Sequence, residues 1–556
     1  MGDSQLQVTA GPIRTRKSNR FSQQWLGGRW RSALVCLAVG LLTASEAVAE
    51  TPANAVTYEA FGAVGDGVTD DLPAICEAHA YANTHGLPVR SNPDATYHLG
   101  RRALTAVIET NTTWSTSRFI IDDSQTVENH KRSLFEVRSR LQPVPLAIDR
   151  LTRGQDRLDV RPATDCLVWV ENEDRRIFIR RGLNQNNGTA QQEVFILRRD
   201  GSIEGAIDWD YDTVTQVEAR PIDPEPLVVQ GGRFINIANR MRQEVGYNYW
   251  ARNIAITRSN TEIVGLVHEV VGETDIGHPY RGFLSVERCA NITLRDCSID
   301  ARKTYQTIGS AGKPVPMGSY GYHASFVVNF RMLGCRSNDI LDRTRWGVVA
   351  TNFMKNILVE DCELSRMDVH MGASGDYIIR RSTLGYMGLN AIGRGRLRIE
   401  ESTLHGDSLV SFRSDYGSTW QGELLIRDSR WLPRADLGGN LSMFHMNNDG
   451  THDFGYTCSM PELIRIEGLF VDDSGLESNE IGMAFFNDPI GPPRAERPFP
   501  YLLTKRLEIS DLTTARGLPR RVSDNPALVE AITVVAAPDV VAAGASDRPT
   551  PPTDES

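Results

Sequence analysis

An eight-residue pattern occurs five times in the second half of the chain, and its spacing restricts the fold more than any other feature. Ile292-Thr-Leu-Arg-Asp-Cys297-Ser-Ile299 is followed by Ile357-Leu-Val-Glu-Asp-Cys362-Glu-Leu364, Tyr377-Ile-Ile-Arg-Arg-Ser382-Thr-Leu384, Leu397-Arg-Ile-Glu-Glu-Ser402-Thr-Leu404 and Leu424-Leu-Ile-Arg-Asp-Ser429-Arg-Trp431. Apolar residues hold the first, third and eighth places, and a small Cys or Ser holds the sixth. Period-two alternation is the signature of a strand, and the small residue suits an inward turn. Cys297, Cys335, Cys362, Ser382, Ser402 and Ser429 are separated by 38, 27, 20, 20 and 27 residues. Steps of this size, carrying short strands and Gly, Asn or Asp turns, fit one coil of a solenoid each. The longest step predicts a coil with a long loop. Leucine-rich repeats share the period, but their L-x-x-L-x-L frame with Asn is missing. The spacing therefore predicts an all-β fold built as a parallel β-helix. Equivalent side chains should stack about 4.8 Å apart from coil to coil. Cys297, Cys335 and Cys362 then form an internal ladder topped by Ser382 and Ser402, a structural role rather than a redox or metal one.

The beginning of the chain points to export. Basic residues Arg14, Arg16, Lys17, Arg20, Arg29 and Arg31 precede an apolar run at 33–42, and small residues follow up to Ala47-Val48-Ala49. That order reads as a secretory signal peptide over residues 1–49 with cleavage after Ala49, placing the mature protein in a secreted or periplasmic location. The apolar run is too short to span a membrane comfortably, so no membrane partner is expected after cleavage. Export would also remove Cys36, leaving seven cysteines, an odd number that argues against a complete disulfide framework. The formal net charge of −10 disfavours nucleic acid as a partner, and a polyanionic ligand would need a local basic patch.

A second segment carries a resemblance. Phe61-Gly-Ala-Val-Gly-Asp-Gly-Val-Thr-Asp-Asp71 leads into Leu72-Pro-Ala-Ile-Cys-Glu-Ala-His, then Gly86-Leu-Pro-Val-Arg and Ala95-Thr-Tyr-His-Leu99. This resembles the entry segment of the pectate-lyase-like β-helix superfamily, with its rhamnogalacturonase-type and epimerase-type members and phage tailspikes, and the resemblance implies a right-handed single-stranded parallel β-helix. Physically the segment reads as a cap. Thr69 can cap a short helix with Asp70 and Asp71 in its first turn, and Leu72, Ile75 and Ala78 give that helix an apolar side to plug the coil stack. Asp66, Asp70 and Asp71 are therefore read as turn and cap residues rather than acids of a site. The resulting organisation is a cap and first coil at 50–110, a β-rich insertion at 111–225, the β-helix with its groove at 226–515 and a low-complexity tail at 516–556. Asp208, Asp210 and Asp212 alternate as calcium ligands do, but the glycine and closing Glu of an EF-hand are missing.

Groove residues should collect on successive coils between His323 and Tyr416. Counting from the Cys/Ser ladder sets Arg345, His370, Asn390 and Arg413 roughly in line, to within about two residues. Asp368-Val-His370 is also similar to the Asp-Pro-His element of mannuronan C5-epimerases, with Val369 in place of Pro. That resemblance would put proton chemistry at Asp368 and His370.

Lyases and epimerases both remove the proton at C5 of a uronate. Such chemistry needs a cation to neutralise the carboxylate, a base, and an acid for the leaving oxygen. Arg345, Arg394 and Arg413 are candidates for the cation, His370 for the base, and Tyr416 or Tyr386 for the acid. His323, Asp342, Arg343, Trp346, Asn390 and Asp415 complete the expected substrate contacts, with Trp346 and Tyr416 as stacking platforms. The sequence reading is a lyase or C5-epimerase acting on an acidic polysaccharide. No metal ligands are assigned, and Ca2+ stays open as a cofactor. A hydrolase using two of Asp342, Asp368, Asp407 and Asp415 is the second enzymatic reading. The Asn-Thr-Asp, Asp-Asp, Gly-His-Gly and Arg-Ile-Lys series of polygalacturonate hydrolases does not run through this groove. A non-catalytic polysaccharide-binding or surface-attachment protein is the third.

Overall fold

Ile292, Phe330, Ile357, Tyr377, Leu397, Leu424, Ile464, Leu507 and Val534 stand one above the next in parallel register. The first apolar place of the repeat thus forms a continuous stack down the core of a parallel β-helix, and nearly all of these side chains are fully buried. The computed structural model describes residues 55–536, except 181–185, 247, 309–313, 347, 435–440, 449, 477–481 and 489–501. The expected signal peptide at 1–49 and the segment 537–556 lie outside the described residues.

The small residue of each coil works as a ladder rung. Cys335, Cys362, Ser382, Ser402 and Ser429 donate through Sγ or Oγ to Leu294, Met332, Val359, Ile379 and Ile399, carbonyls of the preceding coil. All seven described cysteines are free thiols. The residue before most of these rungs turns the chain through the left-handed region, as at Asp361, Arg381, Glu401 and Asp428. Asparagines form a second ladder. Asn260, Asn291, Asn329 and Asn356 sit at left-handed corners of successive coils, and each of the last three donates its amide to the one before at 2.8 to 3.0 Å. Asn tolerates that conformation better than other non-glycine residues and satisfies its own amide in the stack.

Helix Leu72–His85 closes the first coils with Leu72, Ile75, Ala78, His79 and Ala82 buried. Its N-cap is Asp71 rather than Thr69, because Thr69 turns back to Asp66 through Oγ1 at 2.9 Å. Asp71 instead accepts from Val64 N at 2.6 Å, and Asp70 from Gly100 N at 2.9 Å.

Strands Thr112–Asp122 and Phe135–Val137 pair in parallel with coil strands on both sides, so the inserted subdomain is narrower than 111–225. Its sheet is antiparallel, in the order Ile203–Glu204, Thr189–Leu197, Cys166–Ile177, Gln216–Pro221. Alternation gives it two apolar faces. Cys166, Val168, Val170, Phe195 and Leu197 face the subdomain's own core. Leu167, Trp169, Val194 and Ile196 pack on Ala290 and Val328 of the coils. At the other end, strand Arg520–Arg521, helix Pro526–Ala531 and strand Thr533–Ala536 extend ordered structure beyond 515.

Candidate active site

Strand Glu363–Arg380 carries the centre of the site. Met367 and Val369 point into the core, so Asp368 between them points outward. Thr351 pairs with Val369 and Asn352 with Met371, which makes His370 the extra residue of a bulge. A bulge re-aims a side chain, and here it turns the imidazole back over Asp368. His370 Nε2 lies 2.9 Å from Asp368 Oδ2.

Guanidinium groups occupy the other oxygens. Arg366 donates to Asp368 Oδ1 at 2.9 Å. Arg413 bridges Asp368 at 2.9 Å and Asp415 at 2.7 Å. Arg180 reaches Asp415 Oδ2 at 2.7 Å and lies over the Tyr416 ring at 4.9 Å. Burial opposes charge on Asp368, yet Arg366, His370 and Arg413 outweigh it and hold the carboxyl well below the usual carboxylate range. Asp415 is likewise held low against burial by Arg413 and Arg180. Neither acid has a proton to give at neutral pH. Asp368 fixes Nε2 and leaves Nδ1 as the ring nitrogen able to exchange a proton. Three guanidiniums face two carboxylates, so these five side chains together carry one excess positive charge. The Nε–H of Arg180 and of Arg366 is buried without a partner among the described residues.

The site continues along the helix axis. Ser285, His323, Ala350, Asp368, Asn390, Ser411 and His445 occupy one row in register, one per coil. Beside its later members runs a cleft of about 510 Å³ whose lining includes Arg366, Tyr386, Asn390, Ser411, Arg434 and His445.

The structure thus brings Asp368, His370, Arg413 and Asp415 together and sets Asn390 beside Asp368. The others are placed differently from the sequence reading. His323 shares the row but is buried between Ser285 and Ser325, and burial pushes its pKa down to about 3. Tyr416 is buried under Arg180 and Arg413, with its hydroxyl pKa raised by burial, so it is neither an open platform nor a ready acid. Trp346 packs against Gly318 and under Arg366, whose guanidinium is 5.7 Å from the ring. Arg345 belongs to a separate knot on the long loop, with Glu273 at 3.4 Å, Asp342 at 3.7 Å and the Ala301 carbonyl at 2.8 Å. Asp342 caps the same turn by accepting from Thr344 N at 2.9 Å, and Arg343 is exposed beside it. The Tyr386 hydroxyl donates to the Arg345 carbonyl at 2.6 Å. Arg394 faces the insertion, stacked on Trp209 at 3.8 Å. Asp208 pairs with Lys355 at 3.2 Å. Among the described residues, no group of three or more His, Cys, Asp and Glu side chains is arranged to hold a metal ion.

Sequence reasoning passed over Arg180, Arg366 and Tyr320. Tyr320 stands edge-on to His370 at 6.0 Å and stacks on Tyr249 at 5.6 Å. Arg366 shares the outward parity of Asp368 and His370 in the sequence. Arg180 lies on the insertion, where no repeat supplies a register.

A stretch of 94 residues is 33% identical to a capsule KL64-specific depolymerase of Klebsiella phage P510. The match covers 15% of this chain and 9% of the length of that relative. Among solved structures, the tailspike gp54 of Acinetobacter baumannii bacteriophage AP22, in complex with capsular saccharide, is 10% identical, with a TM-score of 0.49 over 86% of this chain and 79% of that one. The tailspike gp61 of Pseudomonas phage phi297 is 13% identical, with a TM-score of 0.47 over 84% of each chain. No family model matches the chain.

Proposed function

We propose that the protein is an exported polysaccharide lyase that cleaves a uronate-containing polymer by β-elimination, with His370 as the base. The observation that carries this reading is the Asp368–His370 pair set among guanidiniums, with both neighbouring carboxyls held ionised. His370 Nδ1 removes the C5 proton, and the electron pair spreads into the uronate carboxylate. The excess positive charge of the Arg180, Arg366 and Arg413 cluster makes that developing charge tolerable. The C4–O4 bond then breaks, leaving a C4–C5 double bond, and the departing oxygen takes a proton from the imidazolium or from Tyr320. Glycoside hydrolysis needs one carboxyl group that holds a proton, and this cluster lacks such a group. The capsule depolymerase among the relatives supports a polysaccharide substrate.

The test is ultraviolet absorbance during incubation with alginate, polygalacturonate, glucuronan and bacterial capsules, with and without Ca2+. A rising unsaturated-uronate signal that His370→Ala abolishes is the expected result. New reducing ends without absorbance would replace elimination with hydrolysis. C5 inversion without new ends would replace it with epimerisation, and tight binding without either would leave a polysaccharide-binding protein.

A further inference from the structure

Lys355 is a buried cation with its partners on a different part of the fold. It projects from the coil strand Val348–Glu360 and is 1% exposed. Its Nζ lies 3.2 Å from Glu193 Oε1 and 3.2 Å from Asp208 Oδ2, both on the antiparallel insertion. Gly205 of the insertion, at φ +95°, closes over the lysine so tightly that a Cβ there would lie 2.4 Å from Lys355 Cδ. Ser374 of the coils donates to Asp208 Oδ2 at 2.6 Å, and Arg394 donates to the Asp208 carbonyl while stacking on Trp209. Apolar contact alone could dock a sheet on these coils, as Leu167 and Ile196 do nearby. A buried ionic clasp adds a fixed geometry that apolar packing does not define as sharply.

The clasp connects to the active site through a short run of paired strands and packed side chains. Strand Thr189–Leu197, which carries Glu193, pairs with strand Cys166–Ile177. Phe178 follows, lining the same small cavity of about 50 Å³ as Lys355, and it meets Tyr416 edge-on at 5.8 Å. Two residues later Arg180 reaches Asp415.

We propose that the insertion is a positioning element of the active site, and that Lys355 clasps it so that Arg180 is held on Asp415 beside the Asp368–His370 pair. This rests on the lyase reading of that site. Lys355 touches no reacting atom and acts through Arg180.

The experiment combines Lys355→Met and Arg180→Ala, singly and together, in the full chain, with Lys355→Arg and Glu193→Gln as milder variants. Lys355→Met should lower kcat by about a hundredfold, the loss that follows an ångström-scale misplacement. The double variant should be no worse than Arg180→Ala alone, and Lys355→Arg should recover most of the rate. Glu193→Gln keeps shape while removing a charge, so it reports the clasp even if Lys355→Met fails to fold. Its kcat should fall in the same direction. Additive losses in the double variant, or an unchanged kcat in both Lys355→Met and Glu193→Gln, would overturn the proposal. Hydrogen exchange over residues 166–180 without substrate separates this from the lyase reading. Faster exchange there in Lys355→Met supports the clasp even if no polysaccharide is cleaved, and unchanged exchange sinks it.

Discussion

His370 Nε2 faces Asp368 Oδ2 at 2.9 Å from the extra position of a β-bulge, while Arg366 and Arg413 occupy the remaining lone pairs of the same carboxylate. The carboxylate therefore does two things at once. It orients the imidazole, and it compensates two guanidiniums that are mostly shielded from water.

Asp368→Asn separates these roles. The amide still fills the space but cannot hold Nε2–H and both cations together. Activity should fall by about a thousandfold through loss of the correct tautomer. Stability should fall by about 3 kcal/mol because buried guanidinium charge is left unpaired. Steady-state turnover and denaturant unfolding check the two parts. Full activity in Asp368→Asn would remove Asp368 from the mechanism.

Asp415 predicts a pH dependence of stability. Its carboxyl is held below the ordinary range by Arg413 and Arg180 against burial. A lowered native pKa stabilises the fold above the unfolded value, about 4, and that contribution fades as pH falls towards the native value. Asp415→Asn should therefore melt below the wild type at pH 7, and the gap should narrow as pH drops below about 4. A gap that stays constant into acid would mean that the ion pairs with Arg180 and Arg413 contribute nothing to it.

The asparagine ladder gives a test of the scaffold. Asn356 has φ 61° and donates to Asn329 Oδ1 at 3.0 Å, while its own Oδ1 accepts from Asp376 N at 3.1 Å. Asn356→Ala loses both bonds and keeps the strained corner, so it should destabilise by about 2 kcal/mol. Asn356→Gly relieves the corner and should lose less. Equal losses in thermal unfolding would show that the conformation, rather than the ladder, is immaterial.

Much of the scaffold is legible in the chain because the repeated strand of each coil alternates. Ile292, Ile357, Tyr377, Leu397 and Leu424 were aligned by their neighbours alone, and they stack as aligned. Asp368 and His370 could be read because outward polar side chains on a buried strand are hard to explain by packing. Arg345 and Arg394 could not be placed, since groove position depends on where each loop and bulge falls. The long loop carries Arg345 off to Glu273, and the coil turns Arg394 towards Trp209. Arg180 had no register to count from, because the insertion is antiparallel and interrupts the repeat.

Asn390, Ser411 and His445 follow Asp368 in register, one coil apart each, along the floor of the cleft. Coil spacing of about 4.8 Å is close to the advance per residue of an extended polysaccharide, so successive sugars can meet successive rungs. Asn390 sits one step from the chemistry and His445 three. Under the lyase reading, His445→Ala should raise KM for long chains by about tenfold, roughly one hydrogen bond, with kcat little changed. On oligosaccharides too short to span from Asp368 to His445, the variant should match the wild type. Asn390→Ala should raise KM for short and long substrates alike. If His445→Ala leaves KM unchanged at every length while the wild type still turns over, the polymer does not lie along this row, and the opposite direction, past His323 and Tyr320, becomes its path.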